Sequence, residues 1–158
     1  MISVRLPDGS EKQLPVDSNG GDLAAAIGPG LARAAVAVTV DGELRDLDRP
    51  LADGASVSIV TRSDESEEAL YALRNSNAHV LATAVRELFP DAGIGFGPPI
   101  ENGFYYDFDV PRPFTPEDLV AIESKMVEVA KSGFSFDRRE LSRSEAEELF
   151  ADDPLKLE

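Results

Sequence analysis

The chain has no cysteine, no tryptophan and a single histidine among 158 residues. Without cysteine there are no disulfides, thiolate zinc sites, iron–sulfur clusters or cysteine nucleophiles. One histidine cannot build a multi-histidine metal centre within one chain, and a Ser-His-Asp triad would have to use His79. Basic residues are also scarce: 15 Lys and Arg stand against 30 Asp and Glu, a formal net charge of −15. That balance gives no general footprint for nucleic acid or an anionic membrane. No apolar run approaches the roughly 20 residues that span a bilayer. The opening Met1-Ile2-Ser3-Val4-Arg5 starts as a strand and lacks the charged and apolar regions of a signal peptide. The expectation is a cytoplasmic protein without membrane contact, and the absence of cysteine fits that compartment.

What is present divides near residue 62. Residues 1–62 carry 6 basic and 9 acidic side chains, net −3, and residues 63–158 carry 9 and 21, net −12. There is no internal repeat or low-complexity tract. In the first part Ile2, Val4 and Leu6 alternate with polar residues, and Pro7-Asp8-Gly9 predicts a tight turn. Leu14 and Val16 mark a return strand. Asp22–Ile27 is a short alanine-rich helix, for which Gly28-Pro29-Gly30 reads as a stop. Ala35–Val40 is a β-branched strand turned back at Asp41-Gly42, and Val57, Ile59 and Val60 close the unit. This β-β-α-β-β order is that of a β-grasp sheet holding one helix.

The polar join Thr61–Glu68 feeds a helix over 66–89, with Ser63, Asp64 or Ser66 able to cap it. Leu70, Leu73, Asn77, Leu81, Ala84 and Leu88 follow three- and four-residue steps along it. Strands are predicted over 93–97 and 104–110, separated by Pro98-Pro99. Thr115-Pro116-Glu117-Asp118 is a strong helix start, and that helix runs to about Lys131 before Gly133. Phe134 and Phe136 lead a strand through Leu141, and Ser142-Arg143-Ser144-Glu145 is a capping box for the last helix. The fold class is α+β.

Several segments resemble known ones. Val4–Ser10, Ala35–Leu44, Asp46-Leu47 and Pro50-Leu51 resemble the TGS domain, a ubiquitin-like β-grasp module of synthetases, GTPases and stringent-response enzymes. Ser76-Asn77-Ala78-His79-Val80-Leu81 is similar to the S-x-A-H-x-L segment of threonyl-tRNA synthetases. Gly97-Pro98-Pro99-Ile100-Glu101-Asn102-Gly103-Phe104-Tyr105-Tyr106-Asp107 is similar to their G-P-x-I-x-x-G-F-Y-Y-D segment, and Phe114–Leu119 and Lys156-Leu157-Glu158 also fit. The resemblance runs in order along the chain. It implies a TGS domain over 1–62 and the first part of an incomplete α/β editing-type domain over 63–158.

The resemblance implies an enzyme that joins threonine to tRNA(Thr) with ATP and hydrolyses serine wrongly attached to that tRNA. It implies no cofactor in this chain, with ATP and zinc used by a synthetase core outside it, and a parent homodimer formed through that core. The chain would then be the N-terminal part of such an enzyme, either excised or naturally truncated. The alternative is a freestanding, non-catalytic TGS module that binds RNA or protein.

The family's editing pocket combines an H-x-x-x-H pair with a C-x-x-x-H pair. His79 matches the first histidine, Thr83 stands where the second is expected, and the C-x-x-x-H pair is missing. Lys156 resembles a lysine of the same pocket, although Leu155 replaces the usual tyrosine before it. Ser76, His79 and Thr83 form a polar stripe on one helix face. His79 either contacts the terminal ribose or a water, or is a partly buried imidazole bonded to a carboxylate or carbonyl. Alternation sends Phe104, Tyr106 and Phe108 to one face, read as core, and leaves Tyr105 and Asp107 to border the pocket. Gly97-Pro98-Pro99 is read as a loop shaping the cleft. It is not a phosphate loop, because the glycine pattern and the Lys-Ser/Thr pair are absent. Arg138, Arg139 and Arg143 either touch acceptor-stem phosphates or form a solvated face paired with Glu140, Glu145, Glu147 and Glu148, and the second reading is preferred.

Overall fold

The computed structural model describes residues 1–134, 139–151, 153 and 155. These fall into two compact units, Met1–Leu73 and Arg74–Glu158.

In the first unit, β1 (Ile2–Arg5) and β2 (Glu11–Leu14) pair antiparallel in the register Ile2↔Leu14 to Arg5↔Glu11. The turn between them is held by Asp8, whose carboxylate accepts from the Ser10 amide and hydroxyl, and by Gly9 at φ +82°. Helix α1 (Gly20–Ile27) starts at a reciprocal cap: the Asn19 side chain accepts from the Asp22 amide and the Asp22 carboxylate from the Asn19 amide. Gly20 lets this helix approach the sheet, since a Cβ there would lie 2.5 Å from Val38 Cγ1.

Gly28 ends α1 as the Gly-Pro-Gly reading predicts, with extended backbone at φ 172° and ψ 152°, but that reading does not predict the helix that follows. A second short helix, α2 (Pro29–Ala34), begins at once. Proline at the first helical position lacks only an amide that has no intrahelical partner there, so the residue taken as a terminator is a starter.

Strand β3 (Ala35–Val40) lies between β4 (Glu43–Arg45) and β5 (Val57–Thr61), both antiparallel to it. Asp41 and Gly42 both take positive φ, 52° and 86°, as the tight β3–β4 turn demands. A parallel bridge, Arg5↔Ser56, and the Arg5 amide bonded to the Ala55 carbonyl at 2.9 Å set β1 beside the start of β5. The result is the expected β-grasp. Val4, Leu23 and Val38 are fully buried at its centre with Leu14, Val40, Leu51 and Val57 around them. Each such side chain contributes roughly 1.5–3 kcal/mol by leaving water. A second cluster packs Ala37 and Val60 against Ala69 and Ala72.

Helix α3 (Glu67–Leu88) is capped by Ser66, whose hydroxyl accepts from the Ala69 amide at 3.2 Å. Its buried positions are Ala69, Ala78, Ala84 and Val85, and Asn77, placed on the apolar stripe by spacing, is exposed.

In the second unit the predicted strands are much shorter than expected. Strand β6 (Gly93–Ile94) pairs with β9 (Phe108–Asp109), and β7 (Pro99–Ile100) pairs with β8 (Gly103–Phe104). Between them the Gly95 amide bonds the Asp107 carbonyl and the Asp107 amide bonds the Phe96 carbonyl, both at 2.9 Å. Pro98 and Pro99 lack the donors that a regular ladder would need. Helix α4 (Pro116–Ser132) carries the predicted Thr115–Asp118 capping box and ends at Gly133, left-handed at φ +68°. The Asp118 carboxylate also accepts from the Arg112 guanidinium, which holds its pKa far below the ordinary carboxylate range. Helix α5 (Arg143–Leu149) carries the predicted Ser142–Glu145 box. Of the strand expected over 134–141, residues 135–138 lie outside the described residues, and Phe134, Arg139, Glu140 and Leu141 belong to no strand. Ala84, Val85, Ile94 and Ile122 form the buried core of this unit, ringed by half-buried Phe89, Tyr106, Phe108 and Phe114.

Among the described residues no helix is long and apolar enough to cross a membrane.

Candidate functional site

The spacing of Ser76, His79, Thr83 and Arg86 puts all four on one face of α3. His79, Thr83 and Arg86, with Ala82, form one wall of an open cleft of about 980 Å³ in the second unit. Asp91, Ala92, Gly93 and Ile94 follow from the turn after the helix, and Tyr106 and Asp109 come from the adjoining segment. Leu149, Phe150, Asp153 and Leu155, at and beyond the end of α5, complete the lining.

His79 is exposed, so its imidazole meets solvent at the cleft rather than being enclosed. Thr83 is half-buried and its hydroxyl donates to the His79 carbonyl at 2.9 Å. This is the back-bond to the preceding turn that helical threonines commonly make. A hydroxyl does not substitute for an imidazole as proton acceptor near neutral pH, so Thr83 can only position a group there.

Tyr106 enters the cleft through a close approach. Its ring stacks on Phe108 with centroids 5.2 Å apart and lies against Gly97, where a Cβ would stand 2.1 Å from Tyr106 Cδ2. The Gly97-Pro98-Pro99 segment thus admits the ring that lines the cleft. Burial pushes the Tyr106 hydroxyl pKa up, opposed by the Arg86 charge. The phenol therefore remains a neutral hydrogen-bond donor at physiological pH. At the floor, a Cβ on Gly93 would lie 2.8 Å from Leu155 Cδ1 and 3.1 Å from Asp109 Cβ.

Of the residues singled out by sequence, the structure brings His79 and Thr83 to the cleft. Ser76 is exposed on the same helix face but does not line it. Tyr105, 45% exposed, and Asp107, whose backbone is committed to the Gly95–Phe96 segment, do not line it either. The aromatic side of the segment, Tyr106, faces the cleft as well as the core. Lys156 lies outside the described residues, as does Arg138. Arg139 is exposed, and Arg143 donates to Glu147 at 2.8 Å, a solvated helix pair of the preferred kind. Sequence reasoning missed Arg86, Asp91, Tyr106 and Asp109 as lining groups. Arg86 had a signal, its place two turns beyond His79 on the same face. Among the described residues no group of three or more His, Cys, Asp or Glu is placed to hold a metal ion.

Residues 2–61 match the TGS domain family. The chain is 56% identical over 149 residues to a threonine–tRNA ligase of Geobacter sp. (strain M21), covering 94% of this chain and 23% of that protein. It is 53% identical over 146 residues to the threonine–tRNA ligase of Laribacter hongkongensis, covering 92% and 23%. To the threonine–tRNA ligase of Oceanobacillus iheyensis it is 48% identical over 159 residues, covering 99% and 24%. The chain thus spans about a quarter of the length of these curated relatives, and the similarity is to their N-terminal region.

Proposed function

We propose that this chain, which carries a TGS domain and is similar almost throughout to the N-terminal region of threonine–tRNA ligases, serves as that region of such a ligase. The whole enzyme joins threonine to tRNA(Thr) using ATP, in the cytoplasm and as a homodimer. ATP and zinc act in parts of the enzyme outside these residues. The observation that carries the reading is about half identity extending over nearly the entire chain rather than over the TGS domain alone.

The second unit supplies the entrance and one wall of a cleft for the aminoacylated 3′ end of tRNA(Thr), where wrongly attached serine is removed. Ester hydrolysis needs a held water, a proton acceptor or relay, and donors toward the developing oxyanion. His79 is the group suited to hold the water or the terminal ribose. Thr83 orders the wall beside it, Lys156 is a remnant catalytic position of the same pocket, and Ser76, Tyr105 and Asp107, outside the cleft lining itself, are the further positions assigned to the tRNA end. The exposed imidazole on a cleft wall supports this reading.

The test uses the full reading frame. Its product charges tRNA(Thr) with threonine in an ATP-dependent reaction, and failure to do so overturns the ligase reading in favour of a freestanding binding module. Seryl-tRNA(Thr) deacylation by the same protein falls in the His79→Ala variant while threonine charging persists. Equal deacylation rates remove His79 from the site.

A further inference from the structure

Arg86 is the one fixed positive charge among the described residues that line the cleft, against the carboxylates Asp91, Asp109 and Asp153. It is exposed, and none of the hydrogen bonds or ion pairs among the described residues engages its guanidinium. In a chain with twice as many acids as bases, an arginine at a cleft that pairs with no acid among the described residues offers a donor fork to a ligand. It shares one helix face with His79, two turns away, and lines the same cleft as Tyr106.

We infer that Arg86 binds the phosphate that precedes the terminal ribose of the tRNA 3′ end. The inference rests on the proposed use of the cleft and names a residue beyond those assigned above. A guanidinium offers two parallel N–H donors matched to phosphate oxygens, and such charge-assisted pairs are the strong ones. With the phosphate fixed at Arg86, the attached ribose lies along the helix face toward His79. The contact carries no base information, so it positions the end without reading it. The carboxylates of the same cleft disfavour anions elsewhere in it, which confines the phosphate to the Arg86 end.

Binding to the 158-residue chain, followed by shifts of backbone amide and arginine Nε–Hε resonances, tests this apart from hydrolysis. The probes are adenosine 5′-monophosphate, which carries that phosphate, and adenosine, which does not. The monophosphate is expected to bind about tenfold more tightly than adenosine, with Arg86 Nε–Hε among the shifted signals. Arg86→Gln removes the difference and leaves adenosine binding unchanged, and Arg86→Lys, which keeps the charge at the end of α3, retains part of it. Equal or undetectable binding of both probes by the unmodified chain overturns the inference. So does an Arg86→Gln variant that still prefers the monophosphate, or one whose adenosine binding falls equally. Seryl-tRNA deacylation by the full enzyme reports separately on the editing reading.

Discussion

The two units fill space in opposite ways. The first packs aliphatic side chains from four strands and a helix until Val4, Leu23 and Val38 have no exposure at all. The second has strands of two residues, few fully enclosed side chains and a ring of half-buried aromatics around its core, of which Tyr106 also borders the cleft. On α4, Leu119, Val120 and Val127 are exposed. A sheet that satisfies its own backbone and core leaves little room for a ligand. A unit built on side-chain stacking over irregular backbone leaves a concavity lined by imidazole, guanidinium, phenol and carboxylates.

That contrast can be broken most forcefully at Leu23. Leu23→Ala is expected to cost the β-grasp about 3 kcal/mol, seen as lost hydrogen-exchange protection in β1, β3 and β5. An equal loss of protection in β6 and β9 would erase the distinction between the units. In the second unit, Gly97→Ala forces a methyl into the Tyr106 ring and is expected to cost about 1–3 kcal/mol, with displaced Tyr106 and Phe108 ring resonances. An unchanged melting temperature and unchanged ring shifts would show that the aromatic wall is loosely held.

Capping changes are smaller. Thr115→Ala is expected to cost about 1 kcal/mol through α4. Because its bond to Arg112 depresses the Asp118 pKa in the folded chain, ionised Asp118 stabilises the fold fully above the unfolded carboxylate value near pH 4. That stabilisation is lost as pH falls through the depressed native value. Thermal melts between pH 5 and 2 should show a shallower acid decline in Asp118→Asn than in the unmodified chain, and parallel curves would refute the linkage. The smallest effect belongs to His79→Ala, expected to change stability by less than about 0.5 kcal/mol because the ring is exposed. A larger loss, measured by urea unfolding, would mean that His79 holds the fold.

The legible parts of this fold are those whose physics is local. Gly9 and the Asp41-Gly42 pair take the positive φ values that their turns predict, and Thr115 and Ser142 cap the helices their spacing marks. The stop at Gly28 was legible, but α2 was not, because a proline that closes one helix pattern also fits the first position of another. The short strands of the second unit were overextended because pairing there is set by what lies across the sheet, which alternation cannot see. The cleft was half legible. Helical spacing gave His79 and Thr83 a shared face, but the entry of Tyr106 depends on the missing Cβ of Gly97, nine residues away in the chain.

The back-bond of Thr83 gives one wall of this cleft a fixed hydrogen-bond polarity. Its proton is spent on the His79 carbonyl, and its methyl is apolar. What the oxygen still offers is lone pairs. A group that meets it must bring its own proton, as a ribose hydroxyl, an ammonium or a water does, whereas a carbonyl or phosphate oxygen finds nothing to accept. Beside the guanidinium of Arg86, which only donates, α3 thus presents an acceptor and a donor one turn apart, an orientation code for whatever lies along it.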